Sequence, residues 1–201
     1  MALISVSNNA LQNITAVPAS IPTGALVLLS TQTASSSASL SFTSGIDSTY
    51  DSYVFKFINC HAATNGAKLV FNLSTDSGSN YNVTKTSTTY VAYHNEAGTS
   101  AVLEYAASDD LAQSTSDQII STNVKNDADI GISGNLQIFQ PSSNIFVKHY
   151  IARTNGMNVN TYSMDFFTAG YGNTTSAIDA VQFKFNTGNI DDGIIKMYGV
   201  K

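Results

Sequence analysis

Residues 52–59 read SYVFKFIN, Ser52 through Asn59. Val54, Lys56 and Ile58 alternate with Phe55, Phe57 and Asn59, and strict alternation with period two marks a strand with one buried face. The same rhythm recurs along the chain. Upstream lie 25–33 (ALVLLSTQT) and 39–44 (SLSFTS), and downstream 68–74 (KLVFNLS), 88–94 (TTYVAYH), 101–106 (AVLEYA) and 118–124 (QIISTNV). Five more follow: 135–140 (NLQIFQ), 144–153 (NIFVKHYIAR), 160–169 (NTYSMDFFTA), 179–186 (DAVQFKFN) and 193–200 (GIIKMYGV). Turn clusters such as DSGSN, NGA, QPSS and RTNG separate them at roughly 8–15-residue spacing, the rhythm of a sandwich or barrel. Helical periodicity is nearly absent. Only 107–114 (ASDDLAQS) offers a short helix of one turn or two, with Ser108 as its N-cap. The chain reads as all-β.

Composition agrees. The 201 residues suffice for one sizeable core, and 43% are hydrophobic while only 11% are charged. Ser, Thr and Asn supply the missing polarity, as exposed strand faces and turns require. The net charge of −5 and the lack of any Lys/Arg run exclude a phosphate-backbone footprint, so no nucleic acid is expected as a partner. Cys60 is the single cysteine, which excludes an intrachain disulfide and a cysteine-based zinc site; a buried strand thiol is the expectation. The longest apolar run, Ala25 to Leu29, is far too short to span a bilayer, and the N-terminus lacks the charged and apolar regions of a signal peptide.

The first segment is different. Met1 to Thr23 interleaves Leu3, Ile4, Val6, Leu11, Ile14, Val17 and Ile21 with polar residues, and Asp47 is the only charged side chain before Asp51. Charge is depleted where a surface becomes the centre of a protein–protein interface. Residues 1–23 are therefore expected to form an arm docked through those seven aliphatic residues, and residues 24–201 the β domain.

Candidate chemistry is sparse. His61, His94 and His149 show no metal-binding spacing, and no nucleophile elbow is present. The carboxylates cluster as Asp109-Asp110, Asp127 with Asp129, and Asp191-Asp192. Paired acids could hydrolyse glycosides, and DADIG or DSGSN could begin a calcium loop. Neither continues into an EF-hand, and Asp, Asn, Ser and Gly are the preferred turn residues. Turn chemistry is the stronger reading, with no catalytic residue, metal or cofactor expected. Tyr81 and Tyr171, beside turns, are the exposed aromatics with which a glycan could stack. The Asp191-Asp192-Gly193 stretch reads as the turn that launches a last strand stitched between others. In that strand Ile194 and Lys196 face one way and Ile195 and Met197 the other.

That ending also carries a resemblance. Residues 177–201, AIDAVQFKFNTGNIDDGIIKMYGVK, resemble a C-terminal pattern of virion structural proteins of tailed phages of marine bacteria: two strands around a G-x-I-x2-G turn and an I-K-[LM]-Y-G-[IV] finish. Residues 40–60, LSFTSGIDSTYDSYVFKFINC, are similar to their earlier strand–turn–strand signature. The likeness covers about a quarter of the chain strongly. It implies an antiparallel β-sandwich, jelly-roll-like, with an extended N-terminal arm, used in tail fibres, tail appendages or capsid decoration. Its motifs are structural and carry over no functional residue. The expected protein is a non-enzymatic virion component, assembled in the host cytoplasm and anchored by its arm to other virion proteins. A homo-oligomer is expected, a trimer by preference. The alternative is a host-surface glycan-binding module.

Overall fold

A computed structural model describes residues 26–201. The seven arm residues from Leu3 to Ile21, and with them the docking expectation for residues 1–23, lie outside the described residues. The remainder forms twelve strands: β1 (Val27–Thr33), β2 (Leu40–Phe42), β3 (Ser52–Ala62), β4 (Ala67–Ser74), β5 (Lys85–Asn95) and β6 (Ala101–Tyr105), then β7 (Gln118–Val124), β8 (Ile132–Phe139), β9 (Lys148–Met157), β10 (Tyr162–Gly172), β11 (Ala180–Phe185) and β12 (Ile190–Val200). Each strand candidate has a counterpart, and every pairing is antiparallel.

The order of pairing identifies the architecture. One sheet runs β1-β12-β3-β8-β9-β10-β5-β6 and the other β2-β11-β4-β7. Eight strands pair as the nested rungs of a long hairpin: β1 with β12, β2 with β11, β3 with β8 and β4 with β7. Successive rungs fall in alternate sheets, and β12·β3 and β11·β4 close the roll. This is a jelly roll. Two insertions are added to it. β5–β6 enters between β4 and β7, and β9–β10 between β8 and β11. They pair with one another and extend the larger sheet beyond β8.

The two sheets meet over an aromatic seam. Phe183 of β11 lies 5.2 Å from both Phe55 and Phe57 of β3, and within 6.4 Å of Phe42 and Phe71 on its own sheet. Phe71 meets Tyr150 of β9 edge-to-face at 5.1 Å. Centroid distances of this kind add to the area burial that dominates core stability. Sheet alternation places Tyr53, Phe55 and Phe57 inward, as well as Ile195 and Met197 of β12, all within 2% of full burial. Cys60 is completely buried, and desolvation pushes its thiol up to about 12.

Three local readings are corrected. Residues 107–114 form a turn, with the Asp109 amide donating to the Ala106 carbonyl, and no helix. Instead the Leu111 carbonyl accepts from the Ser87 amide, the Leu111 amide donates to Ser87 Oγ, and Ser114 and Lys85 exchange two backbone hydrogen bonds, so the segment covers the β5 edge beyond β6. The RTNG stretch is not a turn. Arg153 to Gly156 continue β9, and the reversal comes at Asn158–Thr161. Asp191-Asp192-Gly193 lies inside β12, where two register shifts mark a bulge; the preceding turn is at Asn186–Asn189. Gly193 has φ +124°, and a Cβ there would lie 2.6 Å from the Cα of Cys60. Asn59 opposite has φ +48°, so β3 and β12 bend together.

Candidate functional site

The two insertions build surfaces that the jelly roll alone would lack. Their strands extend past β7, so the inner face of β10, β5 and β6 is only partly roofed by the smaller sheet. Val91, Met164 and Phe166 form a small second core there, with Tyr93, Tyr162, Ala106 and Ile119 packed against it. Beside this core opens a cleft of about 510 Å³. Strand β7 and the start of β4 form one wall, through Asn123, Thr122 and Lys68. The β6 end with its following turn, and the β9–β10 turn, form the others.

Specific polar geometry holds the cleft. Lys68 Nζ donates to Asp109 Oδ1 at 2.7 Å, and the Asp109 side chain is only 5% exposed. The Tyr93 and Tyr162 rings meet at 5.4 Å and 85°. Loss of hydration, and then the charge and hydrogen bond of Glu104, raise the Tyr93 phenol above its ordinary value. Asn158 Oδ1 accepts from the backbone amides of Asn160 (2.9 Å) and Tyr162 (3.1 Å), which rigidifies the β9–β10 turn. Among the described residues the side-chain amide nitrogens of Asn123, Asn158 and Asn160 donate no hydrogen bond. They remain able to bond a ligand.

The opposite face of the same extension carries a shallower groove of about 400 Å³. Tyr171, His149, Phe139 and Ile151 surround small Ala169 and Thr88. Tyr171 stands 6.1 Å from the His149 ring, and its hydroxyl accepts from Gln113 Nε2 at 3.5 Å. Next to the groove Tyr90 stacks on Phe167 at 4.8 Å, and Arg153 grips Asp165 through two hydrogen bonds of 2.8 and 2.6 Å. Those bonds hold the Asp165 carboxyl below its usual range. Both tyrosines expected to be exposed are half-buried. Tyr171 lines this open groove, whereas the Tyr81 hydroxyl is enclosed with no hydrogen-bond partner among the described residues.

The acidic clusters are used locally. Asp76 accepts from Ser74 Oγ (2.7 Å), Asn80 N (2.8 Å) and Asn80 Nδ2 (2.7 Å), which closes the DSGSN turn. Asp109 pairs with Lys68, whereas Asp110 accepts the Tyr105 hydroxyl. Asp127 pairs with Lys125 at 2.8 Å. His61 joins two clusters distant in sequence, with Nε2 3.2 Å from the Asp127 carbonyl and Nδ1 3.7 Å from Asp191. Among the described residues no three His, Cys, Asp or Glu side chains converge as metal ligands.

Two buried lysines escaped the sequence reading. Lys85 is fully buried; its Nζ donates to Asn72 Oδ1 at 2.6 Å and the Val83 carbonyl at 2.7 Å. Desolvation lowers it to about 8, against an opposing effect of Asp117. Lys148 is equally buried and donates to the carbonyls of Ser143 (2.6 Å) and Phe146 (2.7 Å), pinning the loop before β9. Desolvation lowers its pKa also. The signal was the strand alternation itself. Lys85, Ser87, Thr89 and Val91 share one face, as do Lys148, Tyr150, Ala152 and Thr154, and both sets point inward.

No protein-family model, curated protein or solved structure matches the chain.

Proposed function

We propose that the chain is a non-enzymatic structural protein of a tailed-phage virion. It is displayed as a tail-fibre, tail-appendage or capsid-decoration module, and its N-terminal arm anchors it to other virion proteins within a homo-oligomer. The observation that carries this reading is where the arm joins the fold. Among the described residues strand β1 is an edge of the larger sheet, and Leu26 and Leu28 at its start are 40% and 52% exposed. An edge strand with exposed leucines is a feature that a free monomer is built to avoid and an assembled protein uses. In the sequence the uncharged segment 1–23 lies just upstream of it. The jelly roll, shared by viral capsid domains, supports the same reading, as does the resemblance of the last 25 residues.

The test is deletion of residues 1–23. The variant should keep the melting temperature of the β domain, yet be missing from purified particles. Incorporation of the deletion variant at normal copy number would refute the anchoring role.

A further inference from the structure

We propose that the cleft between β7 and the β5–β6 and β9–β10 insertions is a binding site for a neutral saccharide of one or two rings. The virion reading neither requires nor supplies this site. Failure of the proposal therefore leaves the arm-deletion result untouched.

Topology gives the first reason. The rolled hairpin is complete with eight strands, and the four added strands are not needed to close it. They create the cleft, and both insertions contribute to its lining: Tyr93 and Glu104 from one, Asn158, Asn160 and Tyr162 from the other. A volume of about 510 Å³ falls within the range of small-molecule sites.

Chemistry selects the ligand class. A sugar ring offers an apolar C–H face and a girdle of hydroxyls, each both donor and acceptor. The cleft offers the complement: the rings of Tyr93 and Tyr162 beside the apolar Val91 and Met164, surrounded by amides and a carboxylate. Asn123, Asn158 and Asn160 supply donors, and the exposed Glu104 carboxylate supplies an acceptor of the charge-assisted kind. Charge excludes an anionic ligand. Lys68, the cation of the cleft, is neutralised by Asp109 at 2.7 Å, which leaves Glu104 to repel a carboxylate or sulfate group. An acyl chain would strand the amides and the carboxylate without partners, at a cost that a polyol avoids. The fixed turn at Asn158 and the half-buried Lys68–Asp109 pair hold the site before binding, which limits the ordering cost.

The experiment uses the full chain on an array of neutral, sialylated, uronic-acid and sulfated glycans. Amide-detected NMR titrations with lactose, maltose and N,N′-diacetylchitobiose into the millimolar range accompany it. The expected result is saturable binding of a neutral glycan, with shifts concentrated at residues 91–93, 104–109, 122–123 and 158–162. Glu104→Gln and Asn160→Ala change exposed side chains and should keep the melting temperature. Each should weaken binding about tenfold, Glu104→Gln by replacing a charge-assisted hydrogen bond with a neutral one and Asn160→Ala by removing a donor. Saturable binding to no glycan or disaccharide would overturn the proposal. So would preference for acidic glycans, or affinity indifferent to both variants. Binding abolished by Tyr171→Ala and unaffected by Glu104→Gln would move the site to the outer groove and overturn its placement here.

Discussion

Lys85 gives the sharpest test of how the β domain balances its interior. Its ammonium group is fully buried at the start of β5 and held by the Asn72 amide oxygen and the Val83 carbonyl. Folding lowers its pKa from 10.5 to about 8 because burial penalises the charged form. A base with a lowered folded pKa costs stability while both states are protonated, and the cost disappears as the folded state loses its proton first. Below pH 8 the whole penalty applies, roughly 3 kcal/mol for this separation of pKa values. Between pH 8 and 10.5 the unfolded chain binds more protons than the folded one, so stability should rise with pH. From pH 7 to pH 9 the Lys85 contribution is a gain of roughly 1 kcal/mol.

Other groups oppose it in the same window. The Cys60 thiol, raised by burial to about 12, ionises first in the unfolded chain and removes stability above its ordinary pKa near 9. Tyr150, raised by burial, acts likewise from about pH 10. The variant Lys85→Met isolates the lysine, because Cys60 and Tyr150 cancel in the comparison. Its absolute stability is the balance of a removed desolvation penalty against two acceptors that lose their donor, at about 1–3 kcal/mol for each buried orphan. The pH slope of the difference reads Lys85 alone. Urea unfolding of both proteins at pH 7, 8 and 9 should show the wild type gaining on the variant by roughly 1 kcal/mol. A flat difference would show that the lysine is solvated or held charged by Asp117, and the reasoning would fail.

Two further substitutions probe the frame. Gly193→Ala would place a Cβ 2.6 Å from the Cys60 Cα at φ +124°, and should cost about 2–3 kcal/mol by denaturant unfolding; an unchanged midpoint would mean that the bulge is not needed. Phe183→Ala removes the ring that touches four other phenylalanines across both sheets, and should cost about 3–5 kcal/mol. A loss below about 1 kcal/mol would show that the seam collapses to fill the space.

Period-two alternation made the strands legible, because one buried face imposes it wherever a strand lies on a core. The ends of strands were less legible, for reasons visible at particular residues. Asn155-Gly156 looks like a turn dipeptide, yet Gly156 still pairs with Met164, one rung inside the end of the ladder, where a Cβ would come within 3.4 Å of Ile132. Asp191-Asp192-Gly193 has turn composition, yet the bend it makes is a bulge matched by Asn59 on the neighbouring strand. Gly, Asn and Asp report a need for unusual backbone angles. They do not say whether the chain then reverses or continues, since that depends on the strand opposite.

The cleft was illegible for a related reason. Tyr93, Glu104, Asn123, Asn158 and Tyr162 span 70 positions, and the registers of β5 with β6 and β10, with β7 packed across them, bring them together. Tyr93 faces Met164 and Tyr162 faces Asn95 in that ladder; a slip of one residue would put the two rings on opposite faces of the sheet. Inward positions hold the register: Val91, Met164 and Phe166 bury their side chains against Ile119 of the other sheet. Hydrogen bonds from Thr154 to the Ile120 carbonyl and from Thr168 to the Ile119 carbonyl then fix β7 on β9 and β10. The apolar residues that mark these strands as strands therefore also decide which polar residues meet. A sequence pattern records the first of these roles, and the second exists only once the two sheets are packed.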